Sequence, residues 1–204
     1  MIDPHLLAFV RAGLPEPPAR LLEIGAGDGE LARALAASGY EVVAIDPAPG
    51  GAGVVAVALH ELAQEVGTFD AALAVTSLHH VEPLEASLSR LAETLAPGAV
   101  LVVDEFDVGA LDVRAAEWWL SRRGTAEGAG RKSAEDVVAE HRAHLHPLER
   151  IVAALEADFR VESPRSGPYL YRWGLDPAFR SEEEDAIARG EIPATGARLL
   201  ARRR

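Results

Sequence analysis

Gly25, Gly27 and Gly29 stand at alternate positions between a short apolar run, residues 21–24, and a stretch, 31–36, that is apolar at helical spacing. That pattern reads as strand, glycine turn, helix. Glycine supplies positive φ and, lacking Cβ, lets a ligand lie against the main chain at a helix N-terminus. A second apolar run, 41–45, ends in Asp46, which places a carboxylate beside the turn where it can accept two hydrogen bonds from ribose hydroxyls. Together these residues describe a nucleoside pocket. A second group with chemical capacity is the imidazole set His79, His80, His141, His144 and His146, since histidine titrates near enough to neutrality to act as a general base. His141, His144 and His146 have a spacing that could hold zinc. A helix-end histidine cluster has an adequate solvated or core explanation, however, and no metal is assigned. Trp118, Trp119, Tyr169, Tyr171 and Trp173 concentrate in the second half of a chain that is only 5% aromatic; they are candidate pocket walls or, equally, core residues.

The elements that must position these groups alternate. Residues 2–13 form a helix opened by Asp3-Pro4, an N-cap followed by proline at the first helical position. After Asp46 the segment 47–53 is too rich in proline and glycine for the expected crossover helix, so 54–58 reads as a buried strand reached by an abbreviated connection. Residues 69–75 form a strand whose following loop, 76–81, is where open α/β sheets place ligands. An amphipathic helix over 83–95 and a strand over 100–105 complete an alternating pattern that implies a parallel sheet with right-handed crossovers. Beyond Gly109 two helical stretches are expected, about 110–123 and 133–157, separated by Gly124, Gly128 and Gly130. Ser133 and Asp136 form a capping-box start, and Pro147 marks a further helix start. Residues 159–164 read as a strand extended by 169–173, then a short helix over 182–189 and a last strand over 197–201.

The 204 residues and 49% hydrophobic content suit one domain. A net charge of −12 disfavours broad nucleic-acid binding or an anionic membrane. The basic C-terminus, Arg198 and 202–204, reads as the solvated end of a strand. The absence of cysteine excludes disulfides and thiolate metal sites. With no basic leader and no run of membrane-spanning length, the expectation is a cytoplasmic protein. The chain has no Asn, one Gln (Gln64), one Met and one Lys (Lys132), a depletion expected of a thermophile's protein and also favoured by a GC-rich genome.

LLEIGAGDG (21–29), AIDP (44–47), FDAALAVTSLHHV (69–81) and LAPGAVLVVDE (95–105), in this order and spacing, resemble the class I S-adenosylmethionine-dependent methyltransferases, particularly their small-molecule branch. The resemblance covers about the first half of the chain. It implies a Rossmann-like α/β fold, mostly parallel with an antiparallel C-terminal strand and helices on both faces. It also implies a cofactor-binding half, 1–107, and a half, 108–204, that carries the helical lid, the substrate site and the last strands. Within it Glu23 would face the ammonium of S-adenosyl-L-methionine. Gly25, Ala26, Gly27 and Gly29 would give backbone room, Asp46 and Pro47 would lie at the ribose, Leu59 at the adenine, and Val75 and Thr76 near the sulfonium. One departure is visible: Ala58-Leu59 stand where the family often places an acidic adenine contact, leaving His60, Glu61 or backbone groups to substitute.

Methyl transfer from a sulfonium needs little beyond holding the nucleophile about 3–3.5 Å from the methyl carbon, in line, with water excluded. For a protonated acceptor, His80 and His141 are the candidate bases, and His79, Trp119, His146, Tyr169 and Tyr171 the candidate contacts to a small-molecule acceptor. Two other functions fit the same residues. A nicotinamide-dependent oxidoreductase also reads ribose with an acid after a glycine turn, although the spacing here is G-x-G-x-G and not G-x-G-x-x-G. A non-catalytic S-adenosylmethionine-binding protein would use the helical half for interaction.

Overall fold

A computed structural model describes residues 2–123 and 132–204; the expected turn at Gly124, Gly128 and Gly130 lies outside the described residues. Among the described residues, eight strands form one sheet in the order β3-β2-β1-β4-β5-β8-β6, with β7 paired to β8. β1 (Arg20–Ile24), β2 (Glu41–Asp46), β3 (Val54–Ala56), β4 (Phe69–Val75) and β5 (Leu95–Phe106) run parallel. β8 (Gly196–Arg203) is antiparallel to β5, β6 (Phe159–Val161) and β7 (Arg165–Gly167). The expected mixed sheet is therefore present. Since β8, from the second half of the chain, inserts beside β5 from the first, both halves share one sheet. Strand order reverses between β1 and β4, and the crevice outside the carboxyl ends of strands at such a switch is where open sheets bind ligands.

Helices cover both faces. α1 (Pro4–Gly13) and α2 (Glu30–Ala36) pack Leu6, Val10, Leu31 and Leu35 against Leu21, Leu73 and Val102. α3 (Leu84–Thr94) and α6 (Leu148–Leu155) pack Leu88, Leu91, Ile151 and Leu155 against Leu22, Leu101 and Leu199 on the opposite face. The central strands, apolar toward both layers, are buried almost throughout. A third cluster, over the carboxyl end of β5, joins α4 (Val113–Arg122), α5 (Ala134–His144) and α7 (Phe179–Ala188) around Phe106, Trp119 and Tyr169.

Several expectations are corrected. Residues 54–58 are not a buried strand: β3 is three residues long at the sheet edge, and Val55 is 52% exposed, because the missing crossover helix leaves its outer face uncovered. Residues 169–173 form no strand but a 3₁₀ turn, Leu170–Arg172. Its cause is Glu183 of α7, buried, whose carboxylate accepts from the N–H groups of Tyr169 (2.7 Å), Leu170 (2.9 Å) and Tyr171 (2.8 Å). Those donors are thereby unavailable to a ladder. The stretch 133–157 is two helices, because Pro147 cannot continue a helix and serves as the N-cap of α6. The capping box at Ser133 and Asp136 is formed (3.1 and 3.2 Å). Arg198 is no solvated end: it donates to Asp104 at 2.6 Å, and Arg203 donates to the Ala92 carbonyl, also at 2.6 Å. No helix among the described residues is long and apolar enough to cross a membrane.

Candidate active site

A cavity of about 650 Å³ opens at the switch point. Its floor is Glu23, Gly25, Ala26 and Asp28 at the end of β1, with Val75 at the end of β4. One wall is the N-terminal segment 2–6 and the other is drawn from residues 171–180, including Tyr171, Arg172 and Arg180. Both halves of the chain therefore build it, and its size suits a small organic ligand.

The glycine turn leaves the sheet as the spacing predicts. Gly25, Gly27 and Gly29 have φ of 68°, 55° and 76°. At Gly25 a Cβ would collide with the Cβ of Ser77, so the loops after β1 and β4 touch because this residue has no side chain. Asp46 accepts from Gly27 N–H at 2.9 Å and Ala48 N–H at 2.8 Å, tying the glycine turn to the end of β2. The segment 47–53 folds back onto that turn, with Gly50 N–H donating to the Gly27 carbonyl at 2.9 Å.

Glu23 is 4% exposed, and its Oε2 has no hydrogen-bond partner among the described residues. Burial raises its carboxyl from the ordinary 4.5 to about 7, the Ala32 amide opposing and Asp28 reinforcing that shift. A buried carboxylate oxygen with nothing to bind, on the floor of a cavity, has the chemistry to receive a cationic ligand group.

Across the mouth Asp3 does two jobs. Oδ1 caps α1 by accepting from His5 and Leu6 N–H (2.7 and 3.1 Å), and Oδ2 accepts from the Tyr171 hydroxyl. Arg180 donates to the same hydroxyl at 2.9 Å and lies 3.7 Å from Asp3. Burial pushes Tyr171 up to about 12, and the Asp3 carboxylate adds to the shift. Behind this wall Arg172 donates to Asp104 at 2.5 Å and to Thr76 Oγ at 2.8 Å. Thr76 holds φ of 53° without being glycine, a conformation that costs energy and clusters at functional sites. Tyr169 also bonds to Thr76, and burial raises its phenol to about 12.

On the far side of Thr76 lies a cluster of rings. The His79 ring is 4.3 Å from that of His80 and meets Phe106 edge-on at 5.9 Å. Phe106 stacks on Tyr169 at 4.9 Å and meets Trp173 at 4.6 Å; His141 stacks on Trp173 at 4.7 Å. Trp119 donates to the Trp173 carbonyl at 3.0 Å. His79 Nδ1 bonds to Glu105, a buried residue that also accepts from Ser77, Leu78 and Phe106 N–H. Burial, with the neighbouring His79 imidazole, lowers the pKa of His80, which leaves it neutral at neutral pH.

Of the cofactor residues read from the sequence, Glu23, Gly25, Ala26 and Val75 line the cavity. Gly27, Gly29, Asp46, Pro47 and Thr76 stand behind or beside it, and Leu59 turns into the core next to Leu62 instead. Tyr171 lines the cavity. His79, His80, His141, Trp119 and Tyr169 belong to the ring cluster, and His146 sits at its edge, bonded to the Val81 carbonyl (3.1 Å) and Glu82 (3.0 Å). His144 bonds to the Glu140 carbonyl, and no group among the described residues is arranged to hold a metal ion. Asp3, Arg172 and Arg180 were not expected from sequence, and neither was Glu105; the only advance signal was that Asp104 and Glu105 end an apolar strand, where buried carboxylates need a task.

An open sheet with this strand order, a glycine turn at its switch point and a buried acid beneath the ligand cavity define a nucleoside-type cofactor fold. Residues 4–161 match the model of a methyltransferase domain family, and the chain belongs to that family. A ubiquinone biosynthesis O-methyltransferase of Xanthomonas campestris is 35% identical over 118 residues, covering 49% of this chain and 48% of the relative. The chain thus matches about half the length of that curated relative. Among solved structures, an S-adenosylmethionine-dependent methyltransferase from Mesorhizobium loti shares the fold at TM-score 0.63 and 19% identity over 95% of each chain. A putative methyltransferase of an antibiotic biosynthesis pathway from Anabaena variabilis does so at 0.65 and 17%, over 98% of this chain and 97% of that one.

Proposed function

We propose that this chain is an S-adenosyl-L-methionine-dependent methyltransferase acting on a small-molecule acceptor by in-line transfer. The observation that carries the reading is the unpartnered buried Oε2 of Glu23 on the cavity floor, beside a turn of positive-φ glycines. That oxygen suits the ammonium of the cofactor's amino-acid end. Gly25 and Ala26 would admit it against the main chain, and Asp46, one residue beyond the paired β1–β2 ladder, is near enough to the turn to serve the ribose. When bound, the group supplies a sulfonium-activated methyl; the chain's own residues bind, orient and exclude water. Residues 2–6 and 171–180 would close over it.

The relative's printed role, O-methylation in ubiquinone biosynthesis, supports an oxygen acceptor. The net charge of −12 supports an acceptor that is not a polyanion. A cytoplasmic, heat-adapted protein fits the lack of Cys and Asn and the single Gln. Calorimetric titration with S-adenosylmethionine, S-adenosylhomocysteine and NAD tests the proposal. Binding of either adenosyl compound without NAD is expected, and NAD binding alone would refute it.

A further inference from the structure

We infer that Arg172 is a positioning residue for the methyl-bearing end of the cofactor: it holds Thr76 in its left-handed conformation beside the cavity, and the buried Glu183 holds Arg172 in place. The inference rests on the methyl-transfer reading above and adds to it a residue from the second half of the chain. Arg172 and Val75 both line the cavity. Thr76 follows Val75 and is, among the described residues, the only one other than glycine with a positive φ, 53°. For a β-branched side chain that conformation is unfavourable and persists only where its surroundings over-determine it.

The surroundings of Thr76 do so from three directions. Its N–H donates to the Asp104 carbonyl at 2.7 Å. Its Oγ accepts from Arg172 Nη2 at 2.8 Å; since a guanidinium can only donate, the Thr76 hydroxyl proton is left for Tyr169, with which it shares a hydrogen bond. Arg172 is held as firmly. Its Nη1 donates to Asp104 Oδ1 at 2.5 Å, Asp104 Oδ2 accepts from Arg198 Nε at 2.6 Å, and the guanidinium lies over the Tyr169 ring at 4.8 Å. Asp104 therefore holds Thr76 by its backbone and Arg172 by its side chain, and Arg172 closes the triangle. Behind it Glu183 accepts from the three consecutive amides of Tyr169, Leu170 and Tyr171. The turn that carries both Tyr169 and Arg172 is thus set by one carboxylate on α7.

The end of the ligand that this frame meets follows from the strand order. Asp46 ends β2 on one side of β1, and Val75 ends β4 on the other. With the ammonium at Glu23 and the nucleoside toward Asp46, the side of the sulfur left open to an acceptor faces Val75 and Arg172. A methyl group there meets a wall whose shape depends on Thr76, because the φ of that residue sets the course of the chain beyond Val75. Lysine in place of Arg172 would keep the charge but lack the planar fork that spans Asp104 and Thr76 at once.

The test compares S-adenosylmethionine with S-adenosylhomocysteine by calorimetry. The two differ only at sulfur, by a methyl and its charge, so contacts elsewhere cancel in the ratio of their affinities. Arg172→Lys keeps the charge and loses the fork; Thr76→Val keeps the shape and loses the hydroxyl. Each should lower the affinity for S-adenosylmethionine relative to S-adenosylhomocysteine by about 3- to 10-fold, the scale of one hydrogen bond. Glu183→Gln, whose amide nitrogen must face at least one of the three N–H groups, should lower the ratio as well. In a Thr76→Gly background, where glycine takes the positive φ unaided, Arg172→Lys should change the ratio no further. Equal weakening of both ligands assigns these residues a purely structural part and overturns the inference. A ratio that is unchanged or raised, or a full Arg172→Lys effect in the Thr76→Gly protein, overturns it too. Should the variants fail to fold, wild-type protein with S-adenosylmethionine isotopically labelled at the methyl decides the matter by NMR. A nuclear Overhauser effect from that methyl to the Val75 methyl groups is expected, and its absence overturns the inference. Failure of the wild type to bind either adenosyl compound refutes the underlying function instead.

Discussion

Replacing Glu23 with Gln should stabilise the ligand-free protein while weakening its grip on the cofactor, and both effects should depend on pH in a way that only this carboxyl explains. Its folded pKa is raised, from 4.5 to about 7, mainly by burial. A raised acid binds its proton more tightly in the folded chain than in the unfolded one, so unfolding releases a proton between those two values. Stability therefore falls as pH rises from about 4.5 to about 7 and is level above. The ionised form costs the ligand-free fold roughly 3 kcal/mol by that displacement. Glu23→Gln should consequently raise the midpoint of denaturant unfolding at about pH 8 and leave it almost unchanged near pH 5. Affinity runs the other way. If the ammonium of the cofactor pairs with the ionised carboxylate, the competent fraction climbs from about 9% at pH 6 to about 75% at pH 7.5, an increase of about eightfold in association constant. The same titration on the Gln protein should be flat over that range and weaker at its upper end. Calorimetry with S-adenosylhomocysteine at four pH values, paired with urea unfolding of both proteins, gives the two readouts. A Gln protein less stable than wild type at pH 8, or equal pH dependence of affinity in the two proteins, would refute the placement of this carboxylate as an unpartnered cation receptor.

Gly25→Ala would place a Cβ into Ser77 at a φ of 68°; we expect loss of about 2 kcal/mol or more in unfolding free energy and no measurable cofactor binding in a chain whose circular dichroism still shows mixed α/β structure. Tyr171→Phe removes the hydroxyl that joins Asp3 to Arg180 across the cavity mouth; stopped-flow fluorescence should show cofactor dissociation several-fold faster, with unfolding changed by only about 1 kcal/mol, and an unchanged dissociation rate would mean that the contact does not gate the mouth. Asp46→Ala breaks bonds to Gly27 and Ala48 as well as any ribose contact; cofactor affinity should drop about 10- to 100-fold, and an unchanged dissociation constant would leave Asp46 as a structural tie alone.

The parts of this molecule legible in its sequence are those whose causes are local. Short apolar runs and helical spacing placed β1, β2, β4, α1 and α3 nearly to the residue, and alternate glycines announced the left-handed turn because that conformation depends on one residue at a time. The Ser133–Asp136 box and the Pro147 break are local in the same sense. Burial is another matter. Val54 to Ala58 have the composition of a core strand, yet whether a strand is covered depends on a helix elsewhere in the chain, and here 47–53 is too short and too rich in glycine to supply one.

The site was less legible than the fold because its carboxylates act at a distance. Glu183 decides that 169–173 is a turn by capturing three amides across more than ten residues, and nothing near Tyr169 records this. Asp3, recognisable as a helix cap from Asp-Pro alone, has a second oxygen whose partner is 168 residues away. Glu105 is the sharpest example. In the sequence it is only the last residue of the apolar strand expected over 100–105. Its burial under the β4 loop selects which of two adjacent histidines is held by a carboxylate. His79 and His80 are neighbours in sequence, and it is the residue opposite them in space, across the β4–β5 step, that ties the first of them to the strand.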